Sequence, residues 1–208
     1  LRRRLRKLSR EKSLLDKILI IDGVSGGGKA AVHPLLQGLE RVENVSVQGI
    51  YEYICALCHF GSVDIDGAAT LLRIVADQRI YDNVISREVN LRPSDVSSVL
   101  TSNLRELYIN RLFLGDGKEA VARLASERPI FHLMTHQSFA LSRSLFHAFR
   151  QKLFFIEVWR HPLSILRHWY GYVERYGNDA SDFTMWIKYG DRELPWFMAG
   201  REKDFLSG

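Results

Sequence analysis

Ile18-Leu19-Ile20-Ile21-Asp22-Gly23-Val24-Ser25-Gly26-Gly27-Gly28-Lys29-Ala30-Ala31 runs from an apolar tetrapeptide through a glycine loop to a lysine. Residues 18–21 are aliphatic, mostly β-branched and uninterrupted by polar groups, as a strand covered on both faces requires. Gly23, Gly26, Gly27 and Gly28 carry no Cβ, so their N–H groups can crowd around an anion. A helix over residues 29–42, with Pro34 near its first turns, points its positive dipole end at the same spot. Lys29 adds a full charge. The stretch predicts a phosphate cradle at the first strand–helix turn of a parallel α/β sheet; the bland alternative is that the glycines serve only a tight turn.

Gly23-x-x-x-x-Gly28-Lys29 fits the P-loop pattern up to its last position, where a Ser or Thr hydroxyl would hold Mg²⁺. That position is Ala30. The phosphate half of the motif is present and the metal half is missing.

The chain has 208 residues, which suits one α/β domain with an insertion. With 46% hydrophobic and 25% charged residues it has the composition of a globular protein rather than a disordered one. No apolar run approaches the ~20 residues that span a bilayer. Residues 1–13 hold seven Lys/Arg and one Glu, so a net charge of +5 leaves −1 for the rest. A basic arm on a near-neutral domain is not a nucleic-acid surface. Leu1, Leu5 and Leu8 predict a basic amphipathic helix over the arm, residues 1–15; it reads as solvated, with a membrane-surface or partner role as the alternative. Residues 16–208 form the domain. The start at Leu1 and the stop at Gly208 read as a fragment, truncated at the C-terminus.

Cys55 and Cys58, followed by His59, spell the c-type haem attachment pattern. They lie in a mostly apolar helical stretch, residues 51–60, and read instead as two buried, reduced thiols. Three zinc ligands would lack a fourth at a usual spacing. Reduced thiols place the chain in the cytoplasm, with an upstream targeting segment left open.

Strands are expected at 16–21, 45–47, 129–136 and 153–159. Helices are expected at 66–85, 104–114, 139–149 and 163–176, with Ser94 or Asp95 capping a helix after Pro93. The helical block of residues 50–125 is too long for a simple crossover and reads as a substrate-side insertion. Three strands end in polar residues and precede helices. In an open parallel sheet their carboxyl ends form the ligand crevice, so the glycine loop, Thr135-His136 and Arg160-His161 share one edge.

That trio of strand ends resembles the sulfotransferase family, over roughly residues 17–39 and 128–176. The glycine loop takes the place of the family's 5′-phosphosulfate loop. Thr135-His136 looks like the Lys-Thr-His segment of the cytosolic branch, and Glu157-Val158-Trp159-Arg160-His161-Pro162 followed by His168-Trp169-Tyr170 looks like its 3′-phosphate motif. Glu193-Leu194-Pro195-Trp196-Phe197 resembles bacterial members. The sequence departs from the pattern at four points. The loop lacks the paired Thr, leaving Ser25 as its only hydroxyl. Its basic residue is displaced to Lys29. Met134 replaces Lys. His168 stands where a Ser eight residues after the Arg is usual.

The resemblance implies an α/β, P-loop-like three-layer fold with a central parallel sheet. It also implies sulfuryl transfer from 3′-phosphoadenosine-5′-phosphosulfate (PAPS) to a hydroxyl or amine on a small molecule or glycan. Ser25, Gly26, Gly27, Gly28, Lys29, Ala30, Arg160 and His168 would bind the cofactor. His136 would be the base, with Lys29 assisting. A guanidinium suits a 3′-phosphate, and an imidazole titrates where a base must. His132, four residues earlier on the same strand and, if the strand is regular, on the same face, is the second choice for the base. Sulfuryl transfer depends on positioning and electrostatics, and no metal is expected, so Ala30 is no defect. The alternatives are a P-loop kinase, with Glu157 imitating its metal-binding acid, and a nucleotide-binding pseudoenzyme.

Overall fold

The computed structural model describes residues 8–173, 181 and 183–206. Among these, four strands form a parallel sheet in the order β2-β3-β1-β4: β1 Lys17–Asp22, β2 Ser46–Val47, β3 Ile130–Met134 and β4 Leu153–Glu157. The sheet is flanked by helices, and the fold is α/β. β1 is central, and β3 and β4 lie on either side of it, so the connection order reverses at the carboxyl end of β1. That reversal opens a crevice there.

The alternation of β1 sorts the helices. Ile18 and Ile20 join Phe131 and Leu133 in the larger core cluster, under α2 (Ile50–His59), α3 (Ile65–Val84), α5 (Gly117–Glu127) and α6 (Arg143–Phe149). Ile21 and Met134 face the other way, against Val32 and Leu36 of α1 (Lys29–Gln37). The helical block of residues 50–125 therefore supplies most of the cover for one face of the sheet. It also includes α4 (Arg105–Arg111). Asp64 caps α3, its carboxylate accepting from the Gly67 amide at 2.7 Å.

Several expected boundaries move. α1 stops at Gln37 because Gly38 caps it and the chain turns through Arg41, φ 66°, to bridge Val42 with Ile130. Neither Ser94 nor Asp95 starts a helix; a short 3₁₀ turn at Val99–Thr101 begins behind Ser98 instead. Helix α5 falls at the end of the expected helical block, where the sequence pattern assigns no separate helix. α7 spans Pro162–Val173, and its expected continuation over residues 174–176 lies outside the described residues. The chain then makes a hairpin of β5 (Trp186–Tyr189) and β6 (Arg192–Pro195), turning at Gly190, φ 60°, and ends its described part in α8 (Glu202–Leu206).

Residues 1–7 of the basic arm lie outside the described residues, and residues 8–16 contain no helix. A buried carboxylate, Asp77 of α3, gathers several of the segment's donors. It pairs with Arg10 at 2.7 Å and accepts from the Ser13 hydroxyl and the amides of Leu14 and Leu15 at 2.9–3.1 Å. A buried charge that collects this many donors replaces the hydration it lost. No described helix is long and apolar enough to cross a membrane.

Cys55 is buried against Ser144, whose hydroxyl lies 3.3 Å from Sγ, and burial pushes its thiol up to about 12. Cys58 is only half-buried.

His132 on β3 faces α1, where its ring lies 6.4 Å from that of His33. It is fully buried, and neither ring nitrogen makes a well-formed hydrogen bond. Burial, then the His33 imidazole, drive its pKa down to about 4, with the Glu43 backbone opposing. A depressed folded-state pKa means that the unfolded chain takes up the proton first. The neutral ring's contribution is present above pH 6.5 and is lost as pH falls toward 4, up to about 3 kcal/mol. Glu157 works oppositely over a similar window, because its carboxyl is pushed up to about 7. Variants separate the two. Relative to the unmodified protein, His132→Leu should make the denaturation free energy fall less, or rise more, as pH drops from 6.5 to 4, because the opposing Glu157 share remains; an unchanged slope contradicts the His132 assignment.

Candidate functional site

The glycine loop leaves β1 at Asp22 and enters α1 at Lys29. Gly23 has φ 137°, and a Cβ there would collide with the Val158 carbonyl just past β4, so the loop sits against the end of that strand. The Gly27 amide closes the turn onto the Val24 carbonyl at 2.9 Å. Gly28, left-handed at φ 107°, is the N-cap and offers no side chain, so the first amides of α1 keep their donors free of a side-chain cap. Ala30 follows, exposed in the first turn.

Lys29 does not reach outward. It is 5% exposed, and its ammonium donates to the Gly23 carbonyl and, at 3.3 Å, to the Val24 carbonyl. Burial lowers its pKa, opposed by the carboxylates of Asp22, Glu52 and Glu157. The cation therefore props the loop from beneath.

Helix α7 docks on the outer side of the loop. His168 Nε2 lies 2.9 Å from Ser25 Oγ, Trp169 Nε1 donates to the Ser25 carbonyl at 3.0 Å, and Arg160 reaches the Gly26 carbonyl at 3.4 Å. The His168 ring covers Gly26, φ 79°, so closely that a Cβ there would come within 2.8 Å of it. Arg160 and His168 thus meet the loop.

His136 approaches from the other side. β3 ends at Met134, so its alternation does not carry through to position 136. His132 faces α1, while His136 lies against Glu52 of α2; the expectation that they share a face fails there. Glu52 Oε1 accepts from the His136 amide at 3.0 Å and lies 3.2 Å from its Nδ1. A carboxylate on Nδ1–H leaves Nε2 as the proton acceptor.

His136, Glu52 and Ser25 line one cavity of about 400 Å³. Its walls are aromatic: Tyr53 from α2, Trp169 and Tyr172 from α7, Phe183 before the hairpin, and Trp196 and Phe197 after it. The Tyr53 hydroxyl donates to the Phe183 carbonyl at 2.5 Å, and the rings of Trp169 and Phe197 lie edge-on at 6.3 Å.

Beneath the loop lie Asp22, to which the motif reading gave no role, and Glu157, which it named only for the kinase alternative. Asp22 is fully buried and accepts from the Thr135 hydroxyl and the Phe139 amide, both at 2.7 Å. Glu157, its partner in strand register, is pushed up to about 7, first by burial and then by Asp22. Glu52 had a legible signal, a lone carboxylate on an apolar helix. The hairpin had one as well, the Gly190-Asp191 turn between two short β-prone runs.

The docking of α7 can be tested by a double-mutant cycle. Gly26→Ala should destabilise the protein more when His168 is present than in a His168→Ala background, with a coupling of about 1–2 kcal/mol in chemical denaturation. Zero coupling would mean that His168 does not rest on the loop.

Compared with known protein families, with curated proteins and with solved structures, the chain shows no significant match.

Proposed function

We propose that this protein is a P-loop-like transferase that moves a sulfuryl group from PAPS to a small acceptor. The observation that carries this reading is the shared cavity: His136, braced by Glu52, and Ser25 of the glycine loop line the same space. The loop fits an anionic donor, because it combines uncapped amides at the start of α1 with a lysine beneath them. The amides of Gly26, Gly28, Lys29 and Ala30 and the Ser25 hydroxyl would hold the 5′ end, with the Lys29 charge acting from beneath the loop and Arg160 and His168 at the 3′-phosphate. The donor supplies an activated sulfuryl group. Glu52 fixes the His136 ring through Nδ1, and Nε2 takes the acceptor's proton. The aromatic walls orient the acceptor and keep water away.

A second reading, Mg²⁺-dependent phosphoryl transfer, is favoured by one feature. Asp22 and Glu157 place two carboxyl groups side by side at strand ends near Lys29. Ala30 counts against it, since the usual metal-holding hydroxyl is missing at that position.

Calorimetric titration with PAP, the desulfated cofactor, and with ATP, each with and without Mg²⁺, separates these readings. Metal-independent PAP binding is expected; ATP binding that requires Mg²⁺ would contradict the sulfuryl-transfer reading. His136→Ala should lower turnover by about 10²–10⁴-fold at nearly constant PAP affinity. PAP binding with no turnover in the unmodified protein would indicate a pseudoenzyme.

A further inference from the structure

The aromatic cavity and the glycine loop differ in charge. Lys29 and Arg160 contact loop carbonyls and are not part of the cavity lining. Among the described residues, no lysine or arginine lines the cavity, and its ionisable lining is Glu52, His136 and the phenols of Tyr53 and Tyr172. Glu52 Oε1 takes both hydrogen bonds from His136, and Glu52 itself is part of the cavity lining. Six aromatic side chains line the same cavity.

Aromatic faces are electronegative, and they attract organic cations that have shed water. A carboxylate among the lining side chains, with no lysine or arginine beside it in that lining, favours positive charge without touching it. The same field repels anions. An anionic acceptor is therefore disfavoured there relative to a neutral or cationic one.

We infer that the acceptor is a small organic cation: a planar ring carrying an ammonium group and the hydroxyl that reacts. The ring stacks within the aromatic walls, the ammonium lies in the field of Glu52, and the hydroxyl faces His136 Nε2. This rests on the transferase reading for the hydroxyl's fate, but the charge preference stands on the cavity alone.

The test uses three phenols with one ring and different tails: tyramine (cationic), 4-ethylphenol (neutral) and 3-(4-hydroxyphenyl)propionate (anionic). Binding is followed by calorimetry and by tryptophan fluorescence, since Trp169 and Trp196 line the cavity. Tyramine should bind about tenfold more tightly than 4-ethylphenol, and the propionate most weakly. Glu52→Gln should bring tyramine and 4-ethylphenol within about twofold of each other, while Glu52→Asp and His136→Ala, which keep the charge, retain the preference. Equal affinities in the unmodified protein, a preference for the anion, no binding of any of the three, or a preference that survives in a folded Glu52→Gln protein would overturn the inference. PAP is titrated into the same samples. PAP binding without cation preference overturns this inference alone. Cation preference without PAP binding supports the cation site and removes the donor reading.

Discussion

The Asp22 carboxylate is the constraint on which the site depends. It ends the central strand, is fully buried, and accepts from the Thr135 hydroxyl and the Phe139 amide. Those two bonds tie the end of β3 and the chain beyond it to the end of β1. On the other side the Val158 amide donates to the Asp22 carbonyl at 2.9 Å, which ties in the end of β4. A buried carboxylate is tolerable only with such partners, and removing one would leave the charge stranded. Glu157, beside it, avoids a second full charge by holding its proton up to about pH 7. Lys29 supplies the opposing charge and at the same time binds the loop carbonyls. The loop's shape and the strand ends are thus one electrostatic unit.

From that unit the cavity assembles outward. Thr135 fixes where β3 stops, and the next residue, His136, is delivered to Glu52 at the first turn of α2. The loop, fixed by Lys29 below and α7 above, delivers Ser25 to the same space. The hairpin closes the far side through Trp196 and Phe197, the latter edge-on to Trp169. The cationic groups contact the loop and the carboxylate lines the cavity. This separation suits an anionic donor meeting a neutral or cationic acceptor.

Much of this order was legible in the chain because parallel strands are written as short unbroken apolar runs. Residues 18–21, 130–134 and 153–156 gave the sheet, and the polar residues after them marked the ligand edge. The glycines marked the loop. The remainder depends on tertiary contacts that no local pattern encodes. Glu52 sits 84 residues before His136, so their pairing could not be read from spacing. Lys29 reads as a free cation by motif, yet turns inward because nearby carboxylates offset its burial. His132 and His136 share a face only if the strand continues, and it stops between them. The helical block of residues 50–125 reads as an insertion by length, but its apolar faces are needed to cover the sheet.

The central claim is that the glycine loop and the His136–Glu52 pair serve one ligand space. Amide and imidazole NMR during a PAP titration tests it most directly. The account predicts the largest shifts at the amides of residues 26–30 and at the ring of His168, with a smaller response at the His136 ring across the shared cavity. Saturable PAP binding that leaves the amides of residues 26–30 unmoved would contradict it.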